Sequence, residues 1–490
     1  MLTLSEIQKI VQPISLNIKD EIEIDNIQYD SRKCNSKSLF VAIVGFYDDG
    51  HKYLNEAQKN GCQVFLGEKE LDIKNYIRVE DSRLALGKLA FHIYNSPQKD
   101  LNVIGITGTN GKTTTAHLVK AILDESGEKT ALIGTNGVLI GNEELPATHT
   151  TPESLELAAI FSKIKKAGCK NVVMEVSSHA LHQKRVQMID FNGAIFTNIT
   201  QDHLDYHGTM DEYKKAKKIL FDSLKKDAVA IYNGNDLSSK FMAKDCKADN
   251  YFLLTNTPDD INPKNFLLQD IEFSLEGISF TIRKEKDKLK IKSPLTGKFN
   301  VYNASLAASL LLKMQYPEEV VKKGLEKAQG ASGRMQKINL PNGALAVVDY
   351  AHTPDGLEKA LEALKQVIES VGKGSLITVF GCGGDRDKSK RPQMGYIATK
   401  LSNYAIITSD NPRTEDPSDI INDIKEGISN NNYEVIEDRR LAIRKALAIS
   451  GKNDIVLIAG KGHENYQIIG ITKHHFDDVE EVQNLVQEEL

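Results

Sequence analysis

Val103-Ile-Gly-Ile-Thr-Gly-Thr-Asn-Gly-Lys-Thr-Thr114 runs from a short apolar segment into a glycine-rich loop, and the amphipathic stretch Ala116-His-Leu-Val-Lys-Ala-Ile-Leu-Asp124 follows it. Strand, loop and helix in that order build an anion site. Backbone N–H groups between Gly108 and Thr114 turn toward phosphate oxygens, and the helix N-terminus adds a favourable dipole. Lys112 then reaches the β and γ phosphates, and the Thr113 hydroxyl is placed for Mg²⁺. The strict phosphate-loop pattern asks for glycine five residues before Gly111, where Ile106 stands. Gly108 is the first useful glycine, and a glycine-rich turn without a ligand is the alternative.

Outward from this loop, apolar runs of four to eight residues alternate with longer amphipathic stretches, the pattern of parallel strands joined by crossover helices. The fold class is therefore α/β. Strands are predicted at 39–44, 64–66, 103–107, 172–176, 194–197, 228–232, 344–349, 376–380, 404–408 and 455–459, with hairpins near 271–291. Helices are predicted at 83–94, 303–313, 318–328 and 355–371. Pro97 and the glycine-flanked Gly330-Ala-Ser-Gly333 punctuate the pattern. They divide the chain into 1–98, a central phosphate-loop domain with a parallel sheet at 99–332, and a Rossmann-like domain at 333–490 that lacks G-x-G-x-x-G.

A length of 490 residues suits about three domains. Lys and Arg number 62 against 67 Asp and Glu, a net charge of −5 that argues against generic binding to nucleic acid or anionic membrane. The five cysteines are scattered without metal-site or disulfide spacing, which fits a reducing compartment. No apolar run of about 18 residues and no leader-like segment is present, so a cytoplasmic protein is expected.

Glu175 ends the run Asn171-Val-Val-Met-Glu175, where a parallel strand delivers side chains to a ligand crevice. A carboxylate there calls for a cation or for a structural salt bridge. Thr197-Asn-Ile-Thr-Gln-Asp-His-Leu-Asp-Tyr-His-Gly208 packs Asp202, His203, Asp205 and His207 into six residues, a loop suited to metal or phosphate. Spacing does not say which member would touch a metal.

With Asp30-Ser-Arg32, Thr150-Thr151, Met174-Glu-Val-Ser-Ser-His-Ala-Leu181, Asp349-Tyr-Ala-His-Thr-Pro-Asp355, Gly381-Cys-Gly-Gly-Asp-Arg-Asp-Lys388, Asp410-Asn-Pro-Arg413 and Gly460-Lys-Gly-His-Glu464 added, the sequence resembles the Mur ligases nearly end to end. These are ATP-dependent amide-bond-forming enzymes of bacterial cell-wall precursor synthesis. Within them it is most similar to the branch that adds the third residue of the stem peptide. The resemblance implies an N-terminal domain for a uridine nucleotide, a central ATPase and a mobile C-terminal domain for the incoming amino acid, in a monomer. ATP would phosphorylate the D-glutamyl carboxylate of UDP-MurNAc-L-Ala-D-Glu, and an amine would displace phosphate.

On the same resemblance, Gly108, Thr109, Asn110, Gly111, Lys112, Thr113 and Thr114 hold ATP, joined by Asn303, Arg334, Asp349 and His352. Lys112, Glu175, His203 and Lys217 are the catalytic set, with Thr113, Glu175, His203 and Lys217 toward Mg²⁺. Lys217 aligns with a lysine that the family carbamylates. By pattern alone, a lysine in Tyr213-Lys-Lys-Ala-Lys-Lys218 is a solvated helix face. A cation near Mg²⁺ is repelled, whereas CO₂ addition makes the amine an anionic oxygen ligand. Arg334 otherwise reads as an exposed charge, and Asp349 as a cap for the next segment.

Ser31, Thr150, Thr151, Ser177, Gln183 and Arg185 match the site for the uridine-linked muramoyl dipeptide, with Phe46 and Tyr47 against the uracil. Gly45-Phe-Tyr-Asp48 departs from the His-Gln-Ala type of some relatives, and His149 stands where others have asparagine. For the amino acid, the resemblance marks Arg386, Asp410, Asn411, Pro412, Arg413, Gly460 and Glu464. The Asp-Asn-Pro-Arg motif goes with meso-diaminopimelate, because Arg413 can clamp its distal carboxylate bidentately while Glu464 holds an ammonium group. Asn-Pro alone would be turn chemistry. The competing readings are a lysine-adding ligase, a folylpolyglutamate synthetase and a nucleotide-binding protein without ligase chemistry. About a hundred residues before Gly108 disfavour the second.

Overall fold

The computed structural model describes residues 2–18, 23–46, 48–141, 143–146, 149–255 and 262–488. The chain gathers into two compact units, Met1–Lys112 with Ser126–Phe252, and Thr113–Glu125 with Leu253–Leu490. No described helix is long and apolar enough to cross a membrane. All five cysteines are free thiols.

The first unit holds two sheets. Its N-terminal sheet is ordered Ser15–Asn17, Tyr76–Arg78, Val64–Gly67, Ser38–Val41, Asn26–Gln28, parallel except for the first strand. The predicted strand 39–44 ends at Val41, because the chain turns there and a bridge pairs Val44 with Asp49. Five parallel strands follow in the order Val229–Asn233, Gly193–Phe196, Asn102–Thr107, Asn171–Glu175, Thr130–Gly134. They are almost wholly apolar and buried, as a sheet covered on both faces requires. Register sets Phe196 opposite Thr107 and Glu175 opposite Ile106, so the loops that carry polar motifs leave the sheet at one level.

In the second unit, three antiparallel strands, Asn265–Phe273, Ile278–Lys284 and Asp287–Ser293, realise the expected hairpins. The helix predicted at 303–313 begins at Lys298, directly after Gly297 at φ +94°, and is buried on nearly every face. Its missing amphipathic signal hid the first turn. The C-terminal sheet runs Gln336–Asn339, Leu345–Asp349, Ile455–Ala459, Leu376–Phe380, Tyr404–Ile407, Tyr433–Val435, with only the first strand antiparallel. Ile455–Ala459 is inserted between Leu345–Asp349 and Leu376–Phe380, so the strand order reverses there and opens a crevice at the carboxyl ends. Asp349 ends its strand there, and Gly381, Asp410 and Gly460 follow the ends of theirs.

Below that crevice Arg439 and Asp478 are both fully buried and joined by two hydrogen bonds of 2.8 and 2.7 Å, with Arg439 also donating to the Ala459 carbonyl at 3.0 Å. Removing one member strands the other charge in the core. Asp478→Ala is expected to lower unfolding free energy by about 3–5 kcal/mol in urea titration. Lys225→Ala, which breaks an exposed pair with Asp190, is expected to leave the unfolding midpoint unchanged.

Candidate active site

The loop after Asn102–Thr107 is fixed by the strand beside it. Asn198 accepts from the Asn110 N–H through Oδ1 at 3.0 Å, donates to the Asn110 carbonyl at 3.0 Å, and takes the Thr109 N–H on its own carbonyl at 2.9 Å. Thr197 Oγ1 donates to the Asn110 carbonyl at 2.7 Å. Gly108 lies at φ +152°, and a Cβ there would collide with Thr197 Oγ1, so only glycine fits. Lys112 folds back over the loop, donating from Nζ to the carbonyls of Gly108 at 3.0 Å and Thr109 at 2.8 Å. Thr113 and Thr114 are buried at the start of the helix Lys112–Glu125.

Lys217 also donates to the Gly108 carbonyl, at 2.8 Å. It is not on the solvated face that its lysine-rich surroundings suggest. The helix Met210–Asp222 turns Tyr213, Ala216, Lys217 and Leu220 inward, and only Lys214, Lys215 and Lys218 pair with acidic neighbours along the helix. Lys217 is 1% exposed and sits 4.5 Å from the Tyr213 ring centroid. Burial, reinforced by the Lys112 cation, pushes its amine well below the ordinary lysine range.

Glu175 is fully buried, with Oε1 accepting from the Thr135 N–H at 2.8 Å and Oε2 from the Thr135 hydroxyl at 3.2 Å. Thr135 carries no signal in the sequence, since it merely follows the apolar strand Thr130–Gly134. Thr150 Oγ1 lies 3.1 Å from Thr135 Oγ1. Thr151 donates to the Glu175 carbonyl at 2.8 Å and accepts from the Ser177 N–H at 3.1 Å, and Ser177 caps the next helix through the Ala180 N–H. Arg185 is tied down by Thr151, Gln183 and Glu153 at 2.8, 2.7 and 2.9 Å. Thr150, Thr151, Ser177, Gln183 and Arg185 thus form one connected group around the end of the strand Asn171–Glu175.

The acidic and histidine loop does not act as one cluster. Asp202, His203 and Asp205 face outward, whereas His207 is buried and bonded to Ser178 Oγ at 2.9 Å. Among the described residues no three His, Cys, Asp or Glu side chains converge to hold a metal by themselves. His203 lies in the left-handed region at φ 52°, its ring 4.9 Å from that of His179. Tyr206 bonds His182 at 2.9 Å and Gln183 at 3.0 Å, and its ring rests 4.9 Å from Phe46. Phe46, Arg83, His182, Gln183 and Tyr206 line a cleft of about 360 Å³. Tyr47 lies outside the described residues. Ser31 donates to Glu56 at 2.6 Å within the N-terminal sheet's loops.

In the second unit Asp349 caps nothing. Its carboxylate accepts the Met335 N–H at 2.7 Å, and Thr353 caps the following helix instead. Burial pushes the Asp349 carboxyl up, opposed by the Arg334 cation. Arg334 is no exposed charge either: its guanidinium stacks 4.8 Å from the centroid of Tyr350, against which His352 and His463 also pack at 4.5 and 5.0 Å. Asn303 is buried and donates to Asn300 at 3.0 Å.

Asp410, Asn411 and Pro412 are buried beside the strand Tyr404–Ile407. Asn411 Nδ2 donates to Glu464 at 2.9 Å, and Arg413 donates to the Gly384 carbonyl at 2.7 Å. Gly460 lies at φ +120° with the Asp410 carboxylate where a Cβ would go. Arg386 is exposed on the loop after Leu376–Phe380. A guanidinium and a carboxylate therefore stand at the same sheet end, able to hold a carboxylate and an ammonium group.

Known proteins match the chain along nearly its whole length. Profiles described as Mur ligase family, catalytic domain, Mur ligase middle domain, and Mur ligase, glutamate ligase domain match residues 23–95, 106–311 and 333–462. The chain is 42% identical to UDP-N-acetylmuramoyl-L-alanyl-D-glutamate--2,6-diaminopimelate ligase of Clostridioides difficile, covering 97% of this chain and 98% of that one. It is 44% identical to a similarly named ligase of Clostridium acetobutylicum, over 95% of each. A solved structure of a ligase of that name superposes with a TM-score of 0.73 at 35% identity, covering 100% of this chain and 99% of the other.

Burial holds histidines near these loops neutral, His117, His179 and His207 among them. Burial lowers both His117 and His207 from 6.5 to about 4. Between those values the unfolded chain binds protons that the folded chain refuses, so their stabilisation is present above about pH 6.5 and is lost as pH falls toward 4. Urea midpoints are expected to fall from pH 7 to pH 4.5, and less steeply in His207→Gln.

Proposed function

The chain belongs to the Mur ligase family, and from that premise we propose that it is an ATP-dependent ligase joining meso-diaminopimelate to UDP-MurNAc-L-Ala-D-Glu in peptidoglycan precursor synthesis. The observation that carries this reading is that Arg413 and Glu464 stand at one sheet end, Glu464 held by Asn411 and Arg413 by the Gly384 carbonyl, in a chain whose relatives are named for diaminopimelate addition. A division at residues 98 and 332 belongs to the same reading. The N-terminal sheet has its own apolar core, and the three family profiles fall on either side of these points.

A carboxylate does not react with an amine until it gains a leaving group. A D-glutamyl carboxylate oxygen attacks the γ-phosphorus, the bond to the β-phosphate oxygen breaks, and ADP departs. The amine of diaminopimelate then attacks the acyl carbon, phosphate leaves with the carbon–oxygen electron pair, and a proton is lost from nitrogen. Phosphoryl transfer between anions depends on position and charge neutralisation. The loop from Gly108 to Thr114 supplies N–H donors, and Lys112 swings from its own loop carbonyls to the phosphates.

The Thr113 hydroxyl and the buried Glu175 carboxylate are hard oxygen donors of the kind Mg²⁺ takes, and His203 would reach the ion directly or through a water; when bound, Mg²⁺ would neutralise phosphate charge. Lys217 would complete that set as a carbamate: its neutral amine adds CO₂ and releases a proton. Only the unprotonated amine does this, and burial beside Lys112 favours that form. Thr150, Thr151, Ser177, Gln183 and Arg185 orient the muramoyl dipeptide, Ser31 and Phe46 contact the uridine end, and Asn303, Arg334, Asp349 and His352 serve ATP. Arg386, Asp410, Pro412 and Gly460 shape the pocket in which Arg413 takes the distal carboxylate of diaminopimelate.

Phosphate release with UDP-MurNAc-L-Ala-D-Glu and ATP is expected to depend on diaminopimelate and to be weak with lysine; equal or greater turnover with lysine would overturn the substrate assignment. Arg413→Ala is expected to lower kcat/KM for diaminopimelate by a loss of about 2–5 kcal/mol and to narrow the preference over lysine. Lys217→Ala is expected to remove bicarbonate-stimulated activity, with partial rescue by short carboxylic acids.

A further inference from the structure

We propose that Lys461 and Gln467 are positioning residues for the diamino-acid pocket, acting through Asn411 and the backbone of Asp410. This rests on the ligase reading above. Lys461 follows Gly460 at the end of the strand Ile455–Ala459 and is 0% exposed. Among the described residues no carboxylate lies within ion-pair distance of its Nζ. Its amine instead donates to the Tyr466 carbonyl, lies 3.5 Å from Asn411 Oδ1, and sits 5.6 Å from the Tyr466 ring centroid. A lysine is rarely sealed away without an acidic partner. Here it acts as an internal post between the Asp-Asn-Pro-Arg loop and the hairpin Tyr466–Ile469/Thr472–His475.

The consequence falls on one amide. Asn411 Oδ1 faces two donors, the Ile468 N–H at 2.9 Å and Lys461, so its Nδ2 is directed at Glu464, 2.9 Å away. If the amide turned over, oxygen would face carboxylate and nitrogen would face two donors. Lys461 therefore fixes the Asn411 amide, and the Asn411 amide fixes Glu464, which Tyr350 meets from its other side at 3.4 Å. Gln467 fastens the same loop one residue earlier, donating from Nε2 to the Asp410 carbonyl at 2.7 Å. The hairpin also holds Arg413 by its backbone: the Arg413 N–H donates to the Ile468 carbonyl at 3.0 Å, and the Gly470 N–H to the Arg413 carbonyl at 2.7 Å. The groups that would read the two ends of the diamino acid are thus both registered against one two-stranded element.

Steady-state kinetics on the full-length enzyme test this by separating the three substrates. Lys461→Met is expected to raise KM for diaminopimelate roughly 10- to 100-fold, as loss of a hydrogen bond from a charged group does. KM for ATP and for UDP-MurNAc-L-Ala-D-Glu are expected to stay within about 2-fold. In an Asn411→Ala background Lys461→Met is expected to add less than about 2-fold, because the intermediary is gone. Gln467→Leu, at a partly exposed position, is expected to raise the same KM about 5-fold, and it tests the proposal should Lys461→Met fail to fold. Unchanged KM for diaminopimelate in folded Gln467→Leu and Lys461→Met, or an equal rise for all three substrates, overturns it. A wild-type enzyme that does not turn over diaminopimelate overturns the ligase reading instead.

Discussion

Lys112 and Lys217 bring two nitrogens to one acceptor, the Gly108 carbonyl, and the second of them has been taken out of water. Two full cations at that spacing repel strongly where water is excluded. Burial and the Lys112 cation both favour the uncharged form of Lys217. A neutral amine can then donate to Gly108 without opposing Lys112, and Lys112 keeps the charge that a phosphate needs. Much of the surrounding structure serves this division: Tyr213 covers the Lys217 amine, Asn198 and Thr197 pin the loop backbone, and Gly108 has no side chain because Thr197 occupies that space. The unprotonated amine is also the form that adds CO₂, so the same burial favours the carbamate proposed for Lys217.

Both units apply one rule of parallel sheets, that ligand-facing residues gather beyond the carboxyl ends of strands. In the first unit Glu175, Thr197 and the loop from Gly108 leave their strands at matching register. In the second the reversal of strand order at Ile455–Ala459 opens the crevice, and the loops bearing Asp349, Gly381, Asp410 and Gly460 surround it. What differs is how each set is braced. The first relies on hydroxyl and amide side chains, the second on a buried ion pair beneath and a hairpin beside the pocket.

Strand and loop placement was legible because apolar runs bounded by glycine and polar clusters carry that information locally. The phosphate loop, the strands at 376–380 and 455–459, and the position of Asp410-Asn-Pro-Arg413 all followed from such patterns. Side-chain environment was less so, because it is decided by partners distant in sequence. A run of four lysines looks uniformly solvated, yet helical periodicity turns Lys217 alone among them onto the face that carries Tyr213 and Leu220. Arg334 met an aromatic ring 16 residues away, and Asp349 found a backbone N–H rather than a helix to cap. Thr135 and Lys461 carried no local signal at all, since one follows an ordinary strand and the other sits inside a motif noticed for its flanking residues.

In the proposed reaction ATP makes a peptide carboxyl group electrophilic before an amine takes it. Isotope tracing reads that step directly. With both oxygens of the D-glutamyl carboxylate labelled as ¹⁸O, turnover in the presence of diaminopimelate is expected to place one ¹⁸O in the released phosphate and leave the other in the new amide. Phosphate free of label, with both heavy oxygens still on the unextended substrate, would contradict the account.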